Sequence, residues 1–137
     1  MTRYLAAWMA CIVVMLVLDA AWIGGIAQPV YQQGIGHLMA EQFNAVAAAA
    51  FYLMYGVALM VFAVAPGGVT TAWRGTLARG ALFGLFAYAT YDLTNMATLR
   101  DWPLAMSLMD MTWGSIASLA AAAGGKWAFD RVVRAGR

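Results

Sequence analysis

Residues 43–65, FNAVAAAAFYLMYGVALMVFAVA, run for 23 positions without a charged side chain. About 20 apolar residues in helical rise cross the hydrocarbon core of a bilayer, so this stretch reads as a membrane span. Lipid admits only segments that satisfy their own backbone hydrogen bonds, and a run this long and this rich in Ala, Leu and Met meets that demand as a helix. Three more runs flank it, over residues 4–24, 80–99 and 103–124, and each has a single charged residue, an aspartate: Asp19, Asp92 and Asp110 respectively. The expected fold is all-α: a single integral membrane domain over residues 1–137, built as a four-transmembrane-helix bundle with an outer loop over 25–42 and a basic tail over 125–137.

Composition agrees. The 137 residues are 64% hydrophobic and only 10% charged, where a soluble domain carries about 25% charged residues. So little polar surface cannot cover a small water-soluble globule. No basic stripe with interleaved aromatics is present, so nucleic-acid binding is not expected. The lone cysteine, Cys11, excludes an intrachain disulfide and reads as a small apolar filler. Gly25-Ile26-Ala27 loosely resembles a signal cleavage site, but the preceding apolar run is longer than a signal core, with Asp19 and Trp22 near its end, so the run reads as a retained span.

Lys and Arg set the orientation. Arg3 precedes the first run, Arg74 and Arg79 separate the second from the third, and Lys126, Arg131, Arg134 and Arg137 follow the fourth; only Arg100 falls on the other side. Both termini are therefore expected in the cytoplasm. The connection Arg100-Asp101-Trp102-Pro103 is short enough to make the third and fourth helices antiparallel neighbours. Gly80 and Gly84 form a GxxxG pair suited to close packing, within the bundle or in a homodimer. Segment 25–42 mixes Pro29, Gly34 and Gly36 with Tyr31, Ile35, Leu38 and Met39, as a lid lying on the membrane surface would. Trp102 reads as an interfacial belt residue, and the tail from Lys126 to Arg131 as a basic, aromatic anchor for membrane lipid.

With these directions, Asp19, Asp92 and Asp110 all fall about 7–11 Å below the outer boundary. An aspartate at a helix centre costs about 2.5–3.5 kcal/mol on insertion scales, so the three should face inward. On the third helix Tyr88, Tyr91, Asp92, Asn95 and Thr98 share a broad face. Trp22 follows Asp19 by three residues, Ser107, Asp110, Trp113 and Gly114 share a face, and Glu41 and His37 stand near the outer mouth, with Tyr52 and Tyr55 deeper. The expected ligand-binding set is Asp19, Trp22, Tyr31, His37, Glu41, Tyr88, Tyr91, Asp92, Asn95, Thr98, Asp110 and Trp113, lining a pocket open to the outer side above an almost purely apolar inner half. The three aspartates are the candidates for any catalytic role.

Such a cluster could relay protons, act as acid and base, hold a cation, or take the polar end of an amphipathic molecule. One His and one Cys disfavour soft metals, and no loop motif for Mg²⁺ or Ca²⁺, no Ser/His/Asp arrangement and no phosphate-cradling Gly loop is present; no metal or cofactor is expected.

Leu18-Asp19-Ala20-Ala21-Trp22-Ile23-Gly24, Tyr31 through Gly36-His37-Leu38-Met39, Tyr91-Asp92-Leu93-Thr94-Asn95 with Ala97-Thr98-Leu99-Arg100-Asp101-Trp102-Pro103, and Asp110-Met111-Thr112-Trp113-Gly114 resemble the bacterial predicted membrane proteins grouped as domain of unknown function 2177. The resemblance spans nearly the whole chain. It implies a four-helix protein of the bacterial inner membrane and brings no activity, substrate or cofactor. From the residues themselves, the favoured function is binding of a lipid or small amphipathic ligand. The alternatives are a small membrane enzyme with aspartate acid and base, an accessory subunit of a membrane complex, and a proton-coupled transporter working as a dimer.

Overall fold

The computed structural model describes residues 1–68 and 73–136, and every regular element among them is helical. Arg137, one of the basic residues used to orient the chain, lies outside this set.

The first helix, α1, spans Thr2–Trp22. The chain does not become a loop after Gly24. A π-helical turn, Ile23–Ala27, leads into α2, Gln28–Ile35, and a 3₁₀ turn, Gly36–Leu38. This corrects the expected loop over residues 25–38. Pro29 would break a regular helix, because it cannot donate to the carbonyl four residues back. Here the wide turn shifts the pairing, so Gln28 N–H reaches Ile23 O, and Pro29 falls in the first turn of α2, where a missing donor costs little. The second run repeats the device. Asn44 Oδ1 accepts from Ala47 N–H at 3.0 Å to start α3, Ala45–Leu59. A π turn, Met60–Val64, and a 3₁₀ turn with Pro66, Ala65–Gly67, end it. Arg79 Nε and Nη2 both donate to Ala63 O, at 3.2 and 3.1 Å, and so satisfy a carbonyl at this irregular end.

The last two helices are α4, Trp73–Thr98, and α5, Leu104–Ala135. Pro103, extended at φ −76° and ψ 120°, starts α5. The helix runs past Gly124, so the expected tail is helical to Ala135. Gly124 and Gly125 are packing residues rather than stops: a Cβ at Gly125 would meet Cys11 Sγ at 2.5 Å and Ala7 O at 3.2 Å, and one at Gly124 would meet Val14 Cγ2 at 2.8 Å.

Helix α5 lies between α1 and α4, and α3 packs on α1. The α4–α5 seam is very close. Gly80, Gly84, Tyr88 and Asp92 recur every four residues and share one face of α4. A Cβ at Gly80 would meet Ala122 Cβ at 2.7 Å, one at Gly84 would strike Gly114 O, and one at Gly114 would strike the Tyr88 ring. The small residues therefore let the backbones approach, and that approach carries Tyr88 and Asp92 into the bundle.

The polarity of the molecule is that of a protein solvated by lipid. Phe43, Met54, Phe62, Val17 and Phe86 are exposed on the perimeter, while Asp19, Asp92, Asp110, Ser107, Ser118, Thr76, Lys126 and Asp130 are buried. The continuous helical stretches Thr2–Leu38 and Ala45–Gly67 are long and apolar enough to cross a membrane. The half of the bundle away from the aspartates, expected to be almost purely apolar, holds two polar pairs. Tyr55 Oη and Ser118 Oγ share a hydrogen bond of 2.7 Å, and Lys126 is 1% exposed with its Nζ 3.1 Å from both carboxylate oxygens of Asp130 and from Gly68 O.

Candidate functional site

All three membrane-depth aspartates point inward: Asp19 is 5% exposed, Asp110 4% and Asp92 0%. They do not form one compact triad. They divide into two polar centres joined by aromatic rings.

The first centre is Asp19, near the end of α1. Its Oδ2 accepts from Tyr52 Oη on α3 at 3.0 Å, and its Oδ1 from Trp113 Nε1 on α5 at 3.1 Å. This carboxylate ties three helices together. Trp113 also stacks face to face on Trp22, with centroids 4.3 Å apart and planes 4° from parallel. Trp22 follows Asp19 by one turn, so the pair of contacts fixes the C-terminal end of α1 against α5.

The second centre lies between α2, α4 and α5. Tyr31 Oη on α2 donates to Asp110 Oδ1 at 2.5 Å. Asp92 lies within electrostatic reach of Asp110. Its polar neighbours are Ser107 and Trp102, and Trp102 Nε1 donates to Ser107 Oγ at 3.0 Å. Neither Asp92 oxygen has a partner at hydrogen-bond distance, and Trp22 Nε1 is buried without one as well. Trp102, expected in the interfacial belt, is buried at 9% exposure and sits edge-on to Tyr91, with centroids 5.7 Å apart. A residue in a short connection can turn inward when its N–H has a buried acceptor, and Ser107 supplies it.

Tyr88 stands between the two centres, with Asp19, Tyr31, Tyr52 and Tyr55 all within its electrostatic reach. Its ring rests on Gly114, the one residue type that leaves room for it there.

A cavity of about 220 Å³ opens beside the second centre. Tyr31, Tyr88, Tyr91 and Asp110 form its polar wall, and Ile35, Met39 and Met106 its apolar wall. The apolar wall was not assigned from sequence. The signal for Ile35 was its place one turn after Tyr31, hidden while this segment was read as a loop; Met39 lies beyond the 3₁₀ turn and had no such signal. Gly34 completes the wall from behind, since a Cβ there would meet Pro103 Cγ at 2.9 Å and Met106 Sδ at 3.4 Å.

Of the expected set, Tyr31, Tyr88, Tyr91 and Asp110 line this cavity, Asp92 is set beside it, and Asp19, Trp22 and Trp113 form the adjoining centre. Asn95 is partly buried, one turn beyond Tyr91, and does not line the cavity. His37, Glu41 and Thr98 stand apart from it and are exposed. The Thr98 hydroxyl donates to Thr94 O of its own helix at 2.8 Å, and Thr94 and Thr90 bond backward in the same way. Threonines that satisfy their hydroxyls within the helix need no partner across the bundle.

A family model described as "Predicted membrane protein (DUF2177)" matches residues 4–127. Neither a curated protein nor a solved structure matches the chain.

Proposed function

The chain belongs to this family of predicted membrane proteins, and from that premise we propose that it is a four-span protein of the bacterial inner membrane that holds a lipid or small amphipathic molecule in the Tyr31–Asp110 cavity. Helices α4 and α5, at 26 and 32 residues, have a rise of about 39 and 48 Å, enough to cross beside the two more apolar stretches. The basic residues then put both termini in the cytoplasm and the cavity towards the periplasm. Fusions test this orientation. Alkaline phosphatase joined at Asp101 should be active and the same enzyme joined after Gly136 inactive; the reverse pattern would overturn it.

The observation that carries the binding reading is the two-sided cavity, with one carboxylate and three phenols facing two methionines and an isoleucine. Binding sites for small molecules combine apolar walls with a few placed polar groups in this way. The bound molecule would direct a hydrogen-bond donor or a positive group at Asp110 and lay its apolar part on Ile35, Met39 and Met106. Native mass spectrometry of protein extracted in mild detergent should reveal a retained small mass that Asp110→Ala releases. Equal retention by wild type and variant would reject this site.

A second reading has its own support. Asp92 has two unpartnered oxygens and a carboxylate neighbour, and paired carboxylates can serve as acid and base on a bound molecule. In that case Asp92→Asn keeps the retained mass, and lipid extracts of cells carrying it accumulate the unprocessed form. Lipid profiles identical to those of wild type would exclude catalysis by Asp92.

A further inference from the structure

A second cavity, of about 720 Å³, lies at the opposite end of the molecule, beside the last turns of α5. Trp73, Trp127, Asp130, Arg131 and Arg134 line it. Its depth follows from the length of α5. If Leu104 marks the outer edge of the hydrocarbon, Lys126 lies about 33 Å further along, Arg131 about 40 Å and Arg134 about 45 Å. The hydrocarbon core is about 30 Å thick and the bilayer with its headgroups about 40–45 Å. The two arginines therefore stand among the headgroups, and Trp127, at about 35 Å, stands at the boundary that tryptophan favours.

The charge of the cleft is also defined. Asp130 is taken up by Lys126, whose Nζ bridges both its oxygens. That leaves Arg131 and Arg134, both exposed, as the charges facing the cleft. They are three residues apart and share a helix face. Arg131 lies over the Trp127 ring with its guanidinium carbon 5.2 Å from the centroid, which holds one fork in place. Trp73 and Trp127, at 42% and 55% exposure, offer two ring surfaces to an acyl-glycerol region. Two guanidinium forks above aromatic rings match a phosphodiester above a glycerol backbone.

We propose that this cleft is a binding site for one phospholipid of net negative headgroup charge in the inner leaflet. The proposal rests on the four-span placement of α5 and is independent of the Tyr31–Asp110 cavity. A zwitterionic choline headgroup would bring its ammonium towards the two arginines and lose the advantage.

Native mass spectrometry of the full chain, titrated with phosphatidylglycerol or phosphatidylcholine of identical acyl chains, reads the preference directly. Wild type should retain phosphatidylglycerol at least fivefold more, and the preference should disappear in Arg131→Gln/Arg134→Gln and fall in Arg134→Gln alone. Arg100→Gln, at the other end of the bundle, should leave it intact. Equal retention of the two lipids by wild type, or a preference that survives the double substitution, would overturn the proposal. Millimolar inorganic phosphate should not displace the lipid; displacement would make this a site for the free anion instead.

Discussion

Replacing Gly114 by alanine sets two opposed effects against each other. In an exposed helix the change favours folding by about 0.8–1.0 kcal/mol, because alanine is the better helix former. At this position the added Cβ would strike the Tyr88 ring. A rigid ring cannot yield as a flexible chain end does, and overpacking of this kind costs about 1–3 kcal/mol. A Cβ driven straight into a ring takes the upper part of that range, so the expected net loss is about 1–2 kcal/mol, with the Tyr88 ring pushed out of the wall between the two polar centres. Cys11 provides the assay. It is the only cysteine and is 0% exposed, so a thiol-reactive fluorophore in detergent reports unfolding as the temperature rises. Gly114→Ala should unfold several degrees below wild type. Gly36→Ala is the control: its helical φ of −54° suits alanine and nothing lies within 4 Å of the added carbon, so its midpoint should hold or rise. A Gly114→Ala protein as stable as wild type would show that the α4–α5 seam is looser than these distances require.

Other substitutions probe separate contacts. Tyr31→Phe removes the donor to Asp110, a bond worth about 1.5–3 kcal/mol when the acceptor is charged, and hydrogen exchange over residues 28–38 should accelerate; unchanged exchange would mean that α2 is held by other contacts. Lys126→Met leaves Asp130 buried and unpaired and should cost about 3–5 kcal/mol, while Lys126→Met/Asp130→Leu should recover most of it; equal losses from the single and double changes would contradict a buried pair. In Asp19→Asn the amide oxygen can hold Trp113 Nε1 only with Nδ2 turned to Tyr52, whose hydroxyl must then accept; the carboxylate beside the indole is lost, so the fluorescence of the tryptophans should change, since Trp113 stacks on Trp22. Below the unfolding temperature Cys11 should resist membrane-permeant maleimide, and rapid labelling of the native protein would place it elsewhere.

The helical runs and the inward facing of Asp19, Asp92 and Asp110 were legible because lipid punishes polar exposure so strongly that hydropathy and depth decide both. The helix ends were not. Gly24, Gly25 and Pro29 carry the ordinary signs of a stop, yet a π turn accommodates all three. Gly124 and Gly125 look like a terminus and are instead the contact between α1 and α5. Lys126 and Asp130 read as part of a basic, aromatic membrane anchor because their spacing, four residues, says that they can pair but not that the chain buries them. At the site, Thr98 shared a helix face with Asp92 in the sequence reading but bonds to its own backbone. Ile35 and Met39 were read only as part of a surface segment: the spacing of Ile35 from Tyr31 has meaning only within a helix, which depends on how the chain passes Pro29, and Met39 lies beyond the 3₁₀ turn, where helical spacing says nothing.

The π turn at Ile23–Ala27 has a consequence for how this chain tolerates insertions and deletions. Successive residues of an α-helix point about 100° apart, and a wide turn accommodates one surplus residue without breaking the rod. Shortening Ile23–Ala27 by one residue would remove that surplus and let the turn close as ordinary α-helix, with the Tyr31 phenol still facing Asp110, whereas one residue lost from the regular turns of α1 would rotate everything beyond it by about that angle. The wide turn thus works as an indexing joint that keeps α2 facing the bundle.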